Sequence, residues 1–257
     1  MISKKEIKYL ASLQQKKFRL LHEQILIEGP KLILDALKHN QSLIKIIYSI
    51  KDKYFSDIRK LAIDKNIPLE LCSNKDAQRI SNTKNSQQIF AQLDYQLPKT
   101  LNQISNLPNN IILIDGLADP GNLGTILRTS SWFGYYNLFL TNETVELHNP
   151  KTIRAGMGAH FHLKTVVKDN LDKIIEIIKK NDFNIIAANL NGTELNKMKL
   201  NKNKNWCLIL GNEAHGLSKN SIKFSTSLVK IDGENTMESL NVAEAASIIM
   251  HHIYKGK

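Results

Sequence analysis

From residue 111 onward, short apolar runs alternate with helix-like segments, and this alternation constrains the fold more than any other feature of the chain. The runs are 111–114 (IILI), 136–140 (YNLFL), 163–167 (LKTVV), 185–189 (IIAAN), 206–210 (WCLIL) and 227–231 (SLVKI). Helix-like stretches lie at 121–133, 150–159, 169–181 and 241–255. A strand that is apolar throughout, rather than at every second residue, is buried on both faces, and strands alternating with helices connect in parallel. The pattern therefore predicts an α/β domain whose parallel sheet is covered on both sides. The last helix is the clearest element. Val242, Ala245, Ala246, Ile249, Met250 and Ile253 form one stripe at helical spacing, and Lys255-Gly256-Lys257 mark its end.

Upstream, the alternation resumes on a smaller scale. A basic helix is expected over 3–20, then a strand at QILIE, and Gly29-Pro30 opens a helix with Leu32, Ile33 and Leu37 on one face. Strands follow at LIKIIYSI, PLELC and QIFAQL. The stretch YQLPKTLNQISNLPNN, with two prolines and many amides, reads as a connection. The expected organisation is an N-terminal α/β domain over 1–97, a linker over 98–109 and the parallel-sheet domain over 110–257.

The net charge of +11 is unevenly spread: 18 Lys and Arg face 10 Asp and Glu in the first hundred residues, against 17 and 14 in the rest. The excess is either a set of solvated lysine-rich faces or the electrostatic footprint of a polyanion such as RNA or DNA. No apolar run approaches the roughly 20 residues that span a bilayer, so no membrane association is expected. The start MISKKEIKYL lacks the apolar core of a secretion signal. Cys72 and Cys207 each sit beside leucine, as buried reduced thiols do, and a cytoplasmic location is expected. His215 has no Cys or His at ligand spacing nearby, and no metal is expected.

In an open parallel sheet, ligands bind beyond the carboxyl ends of the strands. Three loops there have unusual compositions. The first, DGLADPGNLGTILRTSSWFG (115–134), follows the run IILI. It has neither the glycine fingerprint of a dinucleotide turn nor the lysine of a phosphate-binding loop, which sets aside an NAD-dependent dehydrogenase. Asp119-Pro120-Gly121-Asn122 is turn chemistry, and Asn122 taken alone reads as a helix cap. Arg128 follows buried-type Leu127 on the helix leaving that turn. The second loop, LILGNEAHGLS (208–218), places Glu213 on a glycine-flanked turn, as a general base, a hydroxyl ligand, an arginine partner or simply an exposed turn residue. The third, IDGENTMESLNVAEAA (231–246), has Ser239 and Asn241 where the last helix begins, Asn241 with Glu244 at capping-box spacing.

Together, N-x-x-x-x-x-R after a first strand, L-G-N-E-x-x-G-L-S after a later one and S-L-N-V at the last helix resemble the three motifs of the SpoU/TrmH-type RNA 2′-O-methyltransferases. The stretch NPKTIRAGMGAHFHL is similar to that family's middle region. EGPKLILDAL resembles the ribosomal-protein-like substrate-binding domain that many members carry at the N-terminus. The resemblance implies a deep trefoil knot in the C-terminal domain, with S-adenosylmethionine bent within it and held largely by backbone. It implies that Gly211, Ile231 and Leu240 line the cofactor site with Leu190 and Gly192 close by, and that Asn122, Arg128, Glu213, Ser239 and Asn241 occupy active-site positions. Arg128 and Arg154 are the implied RNA contacts, and a homodimer is implied as well.

The reaction so implied moves a methyl group to a ribose 2′-hydroxyl, a poor nucleophile until it loses its proton, so positioning and a proton acceptor are needed. The family's arginine has been assigned as that acceptor. Because a guanidinium stays protonated, the preferred role for Arg128 is a bidentate clamp on phosphate or forming alkoxide. Glu213 would then hold Arg128, Asn122 and Asn241 would fix the loops, and Ser239 would touch the ribose or the arginine. Ribosomal RNA is favoured over transfer RNA. The competing reading is a catalytically silent RNA-binding protein on the same fold. The chain departs from many members at Ala214, where they have Gly, and at Asp232, where they have Pro. Acids and amides at Asp232, Glu234, Asn235 and Glu238 also put the cofactor pose in question.

Overall fold

A computed structural model describes residues 2–39, 41–201, 203–234 and 239–256. The chain divides into two compact units, Met1–Leu97 with His148–Phe161, and Pro98–Leu147 with His162–Lys257. In the first unit α1 (Lys4–Ser12), α2 (Lys16–His22), β1 (Gln24–Glu28), α3 (Pro30–Lys38), β2 (Leu43–Tyr48), α4 (Phe55–Asp64), β3 (Leu69–Leu71), α5 (Asn74–Ile80) and β4 (Ile89–Asp94) follow in order.

The helix expected over 3–20 is two helices. The buried guanidinium of Arg19, in α2, donates to the carbonyls of Leu13 (2.9 Å) and Gln14 (2.7 Å), so a cation stabilises the carbonyl end of α1 and the chain turns there. The four strands lie in the order β1-β4-β2-β3, with β4 antiparallel to both neighbours and β2 parallel to β3. The ends of β1, β2 and β3 therefore share one edge with the start of β4. Alternate residues face opposite sides. Ile25, Ile27, Ile46, Ile89 and Ala91 pack in one cluster with Ile33, Leu37 and Ile58, and Leu26, Ile47 and Phe90 pack in another with Leu10, Ala77 and Ile80.

The second unit holds β5 (Asn110–Ile114), α6 (Pro120–Trp132), β6 (Asn137–Thr141), β7 (Thr165–Asp169), α8 (Leu171–Lys180), β8 (Asn184–Glu194), β9 (Trp206–Leu210), α9 (Lys219–Phe224), β10 (Ser227–Lys230) and α10 (Val242–Lys255). Between β6 and β7 the chain contributes α7 (Pro150–Gly156) to the first unit. The six strands are all parallel, in the order β10-β8-β9-β5-β6-β7. Ile111, Leu113, Phe139, Ile185, Cys207 and Ile209 form one apolar cluster with Ile174 and Ile178 of α8, while Ile112, Ile114, Leu138, Ile186 and Leu208 between them are buried as well. Burial on both faces is what the continuous apolar runs require. The connection-like stretch after Leu97 lies on this unit: Lys99 bridges to Val167 and Leu101 is buried.

Two differences from the sequence reading bear on the site. β8 runs five residues further than the apolar run IIAAN. Its pairing with β10 shifts between Leu228, opposite Ala187, and Val229, opposite Thr193, so residues 188–192 arch out of the ladder. α9 fills a stretch for which no helix was expected, capped by the Ser218 hydroxyl, which accepts from the Ser221 amide. No helix among the described residues is long and apolar enough to cross a membrane.

Candidate active site

The loops after β5 and β9 and the start of α10 meet at the carboxyl end of the parallel sheet. α6 begins at Pro120, and its cap is Asp119, whose carboxylate accepts from the Asn122 amide at 2.8 Å. Asn122 itself is therefore not the cap. That frees its side chain, which donates from Nδ2 to Oε1 of Glu213 at 3.0 Å and accepts at Oδ1 from Nδ2 of Asn241 at 3.1 Å. Asn241 keeps the capping role read from the sequence, its Oδ1 accepting from the Ala243 amide at 2.8 Å. One residue from each of the three loops thus joins a single relay, Asn241 to Asn122 to Glu213.

Glu213 anchors the relay. Its carboxylate accepts from the amides of Ala118 (3.3 Å) and Asp119 (3.2 Å) in addition to Asn122. Burial would raise its pKa, but the hydrogen bonds from Asn122 and from the amides of Glu213, Ala118 and Asp119 outweigh it and hold the carboxyl below its ordinary range. The group is a fixed anion whose acceptor sites are taken up by its own loops, which makes it an organiser rather than a proton acceptor. Sequence reasoning made Glu213 the partner of Arg128. The structure corrects this: Arg128 is exposed on α6 and forms no ion pair or hydrogen bond among the described residues. Ser239 is exposed, and no hydrogen bond joins it to the relay among the described residues. Arg154, on α7 in the first unit, donates from Nη1 to Oδ1 of Asn82 at 2.8 Å.

Two residues that sequence reasoning passed over hold the loops. Asn212 donates from Nδ2 to the Gly116 carbonyl at 2.7 Å and accepts at Oδ1 from the amides of Ala214 (2.9 Å) and His215 (3.2 Å), tying the second loop to the first. Asp115, buried at the end of β5, accepts at Oδ2 from the Ser218 amide (3.1 Å) and the Ser221 hydroxyl (2.7 Å), closing the same loop at its far end. An Asp directly after a buried strand was the available signal, since a buried carboxylate must find donors.

The glycines expected near the cofactor are set by close backbone approach. A Cβ on Gly211 would lie 2.5 Å from the Gly216 carbonyl, and one on Gly192 2.5 Å from the carbonyl carbon of Leu228. Leu190, on the arch of β8, is 66% exposed, and Leu240, just before α10, is 48% exposed, while Ile231 follows β10 half-buried. Exposed leucines beside turns pressed together at their backbones suit a ligand with a flat apolar face and polar edges. Asn235 and Glu238 lie outside the described residues.

Residues 109–251 match the model of the SpoU rRNA Methylase family, and residues 4–91 match the MRM3-like substrate binding domain. The chain is 28% identical over 249 residues to the 23S rRNA (guanosine(2553)-2′-O)-methyltransferase RlmP of Bacillus subtilis, covering 96% of this chain and 95% of that protein. It is 35% identical over 161 residues to the mitochondrial rRNA methyltransferase 3 of Homo sapiens, covering 60% of this chain and 37% of that one. Among solved structures, a TrmH-family protein from Porphyromonas gingivalis superposes with a TM-score of 0.84 at 27% identity over 98% of both chains. The fold is shared as well by an AdoMet-bound rRNA methyltransferase from Sinorhizobium meliloti, with a TM-score of 0.85 at 24% identity over 99% of this chain and 96% of that one.

Proposed function

The chain belongs to the SpoU rRNA methylase family, and from that premise we propose that it transfers a methyl group from S-adenosylmethionine to a ribose 2′-hydroxyl of ribosomal RNA. The observation that carries the reading is the relay Asn241–Asn122–Glu213, which draws the three family motifs into one hydrogen-bonded group at the carboxyl end of the sheet. A protein retained only for binding RNA has no need of that relay, which touches no free surface cation. The Bacillus subtilis and human relatives are both named as rRNA methyltransferases, which favours ribosomal over transfer RNA.

S-adenosylmethionine supplies an electrophilic methyl on a sulfonium. Gly211, Gly192, Ile231, Leu190 and Leu240 would hold it, the glycines through backbone and the leucines through their apolar surface. The chain's own residues do the rest. Glu213, fixed as an anion by its donors, sets the turn Ala118–Asn122 against the second loop. Asn122 and Asn241 lock the start of α6 to the start of α10. Arg128, with its guanidinium unengaged, clamps a phosphate or the forming alkoxide of the target nucleotide. Ser239 would touch the ribose or Arg128. The chain is proposed to be knotted through the loops that carry these residues, as the family fold is, and to work in the cytoplasm.

A homodimer is proposed on the outer face of α6 and α10, which pack against each other with Thr129 and Ser247 hydroxyls 3.0 Å apart. Trp132 there is 85% exposed and Tyr254 51%, with the Tyr254 ring 5.4 Å from that of Phe133. Aromatic surface of this kind is enriched at subunit interfaces. Mapping 2′-O-methyl positions in ribosomal RNA from cells with and without this protein tests the proposed activity. One position should lose its methyl in the deletion and regain it when the purified chain and S-adenosylmethionine are added. A methylation map that is the same in both strains contradicts the assignment.

A further inference from the structure

Resting on the reading of RNA as substrate, we infer that loop 81–88 of the first unit is its RNA-reading element and that Glu28 is the positioning residue that shapes it. The loop, SNTKNSQQ, joins α5 to β4 at the edge where β1, β2 and β3 end. It has no apolar side chain to anchor it. Instead the Glu28 carboxylate, at the end of β1, accepts from the Ser81 hydroxyl (2.7 Å), the Ser86 hydroxyl (2.8 Å) and the Gln87 amide (2.7 Å), so both ends of the loop close on one anion. The Gln87 side chain lies against Gly29 in the space a Cβ would fill, and Gln88 accepts from the Ser49 hydroxyl at 2.7 Å. Arg154 holds Asn82 from the side.

A carboxylate spent wholly on arranging a surface loop leaves that loop rigid, polar and outward-facing. Asn82, Lys84, Asn85 and Gln87 are exposed on it. Amide side chains offer a donor and an acceptor together, the pattern that pairs with base edges splayed out in RNA loops, whereas lysines alone would give only phosphate affinity. The same edge carries the cations for the backbone. Lys31 and Lys53 lie over the half-buried Tyr54 ring, 5.9 and 5.3 Å from its centre, which holds two positive charges at this edge. Acidic groups at this edge are already engaged: Glu28 by the loop, Asp52 by the Tyr54 amide and Asp76 by Ser73. The partner that fits is an unpaired or bulged RNA segment rather than a regular duplex, whose shallow groove offers amides little to read.

The test measures binding of the full chain to total ribosomal RNA from cells lacking it, by filter retention without cofactor, beside steady-state methyl transfer with cofactor. Glu28→Ala should weaken RNA binding about tenfold, the loss of one or more base contacts, and raise KM for RNA with kcat and cofactor affinity unchanged. Glu28→Gln, which keeps acceptor oxygen in the same place, should restore most of it. Lys84→Glu, at an exposed position of the loop, should leave the fold intact, weaken binding and reduce its salt dependence. Unchanged binding in both Glu28→Ala and Lys84→Glu overturns the inference. A wild-type chain that binds RNA in this loop-dependent way yet transfers no methyl leaves the inference standing and removes the proposed activity instead.

Discussion

Two side chains show how environment, rather than residue type, sets charge in this protein. Glu213 sits at an exposed-looking turn in the sequence, yet its loops supply the donors that keep it anionic. Asn122→Ala removes one of those donors and the acceptor for Asn241 together. It should lower kcat by about tenfold to a hundredfold through misplacement of the loops, with a stability loss of only about 1–2 kcal/mol, read from turnover and urea unfolding. His148 is the opposite case. Burial, with His160 and Arg19 nearby, pushes its pKa from 6.5 down to about 3, and its ring lies 4.3 Å from that of Tyr95. The folded state keeps this imidazole neutral while the unfolded chain protonates it. Stability is therefore fully present above pH 6.5 and declines as pH falls from there toward 3. Urea midpoints at neutral pH and near pH 5 should show that decline, and His148→Phe should flatten it.

At the scale of elements, the strands of the second unit were legible because burial on both faces writes itself as an uninterrupted apolar run: Ile111–Ile114 and Trp206–Leu210 fall where the sequence places them. The end of β8 was not legible. Its last residues, Thr193 and Glu194, are polar and pair with β10 only after the arch at 188–192, a pairing that depends on a distant strand. The break between α1 and α2 was hidden for the same reason, since it rests on where Arg19 reaches in three dimensions. Of the site, the three motifs were legible as positions. Their wiring was not: Asn212 and Asp115 act on backbone groups about a hundred residues away, which no local spacing reveals. Gly211, expected from the sequence near the cofactor, stands where the second loop doubles back against its own backbone. Gly211→Ala would force a Cβ to 2.5 Å from the Gly216 carbonyl and push the second loop outward. An overpacking cost of about 1–3 kcal/mol is expected, together with a marked loss of S-adenosylmethionine affinity by calorimetry.

For the whole molecule, the proposed division of labour gives RNA holding to the basic first unit, and the cofactor and reacting group to the second. The charge surplus in the first hundred residues, ambiguous by itself, would serve the proposed RNA contact at the edge where Lys31, Lys53 and Lys84 stand beside an amide-rich loop. The dimer proposed on α6 and α10 belongs to this scale too: if it forms there, light scattering should find a dimer for the wild type and a folded monomer for Trp132→Glu, because Trp132 is 85% exposed in the single chain. The central claim is that Arg128 acts on RNA and not on the cofactor. Its most direct test is Arg128→Ala in the full chain, with S-adenosylmethionine binding followed by calorimetry and tritiated-methyl transfer to undermethylated ribosomal RNA followed in parallel. The account predicts cofactor affinity near wild type with transfer reduced by about a hundredfold or more, as for loss of a group stabilising transition-state charge. Transfer at the wild-type rate would contradict it.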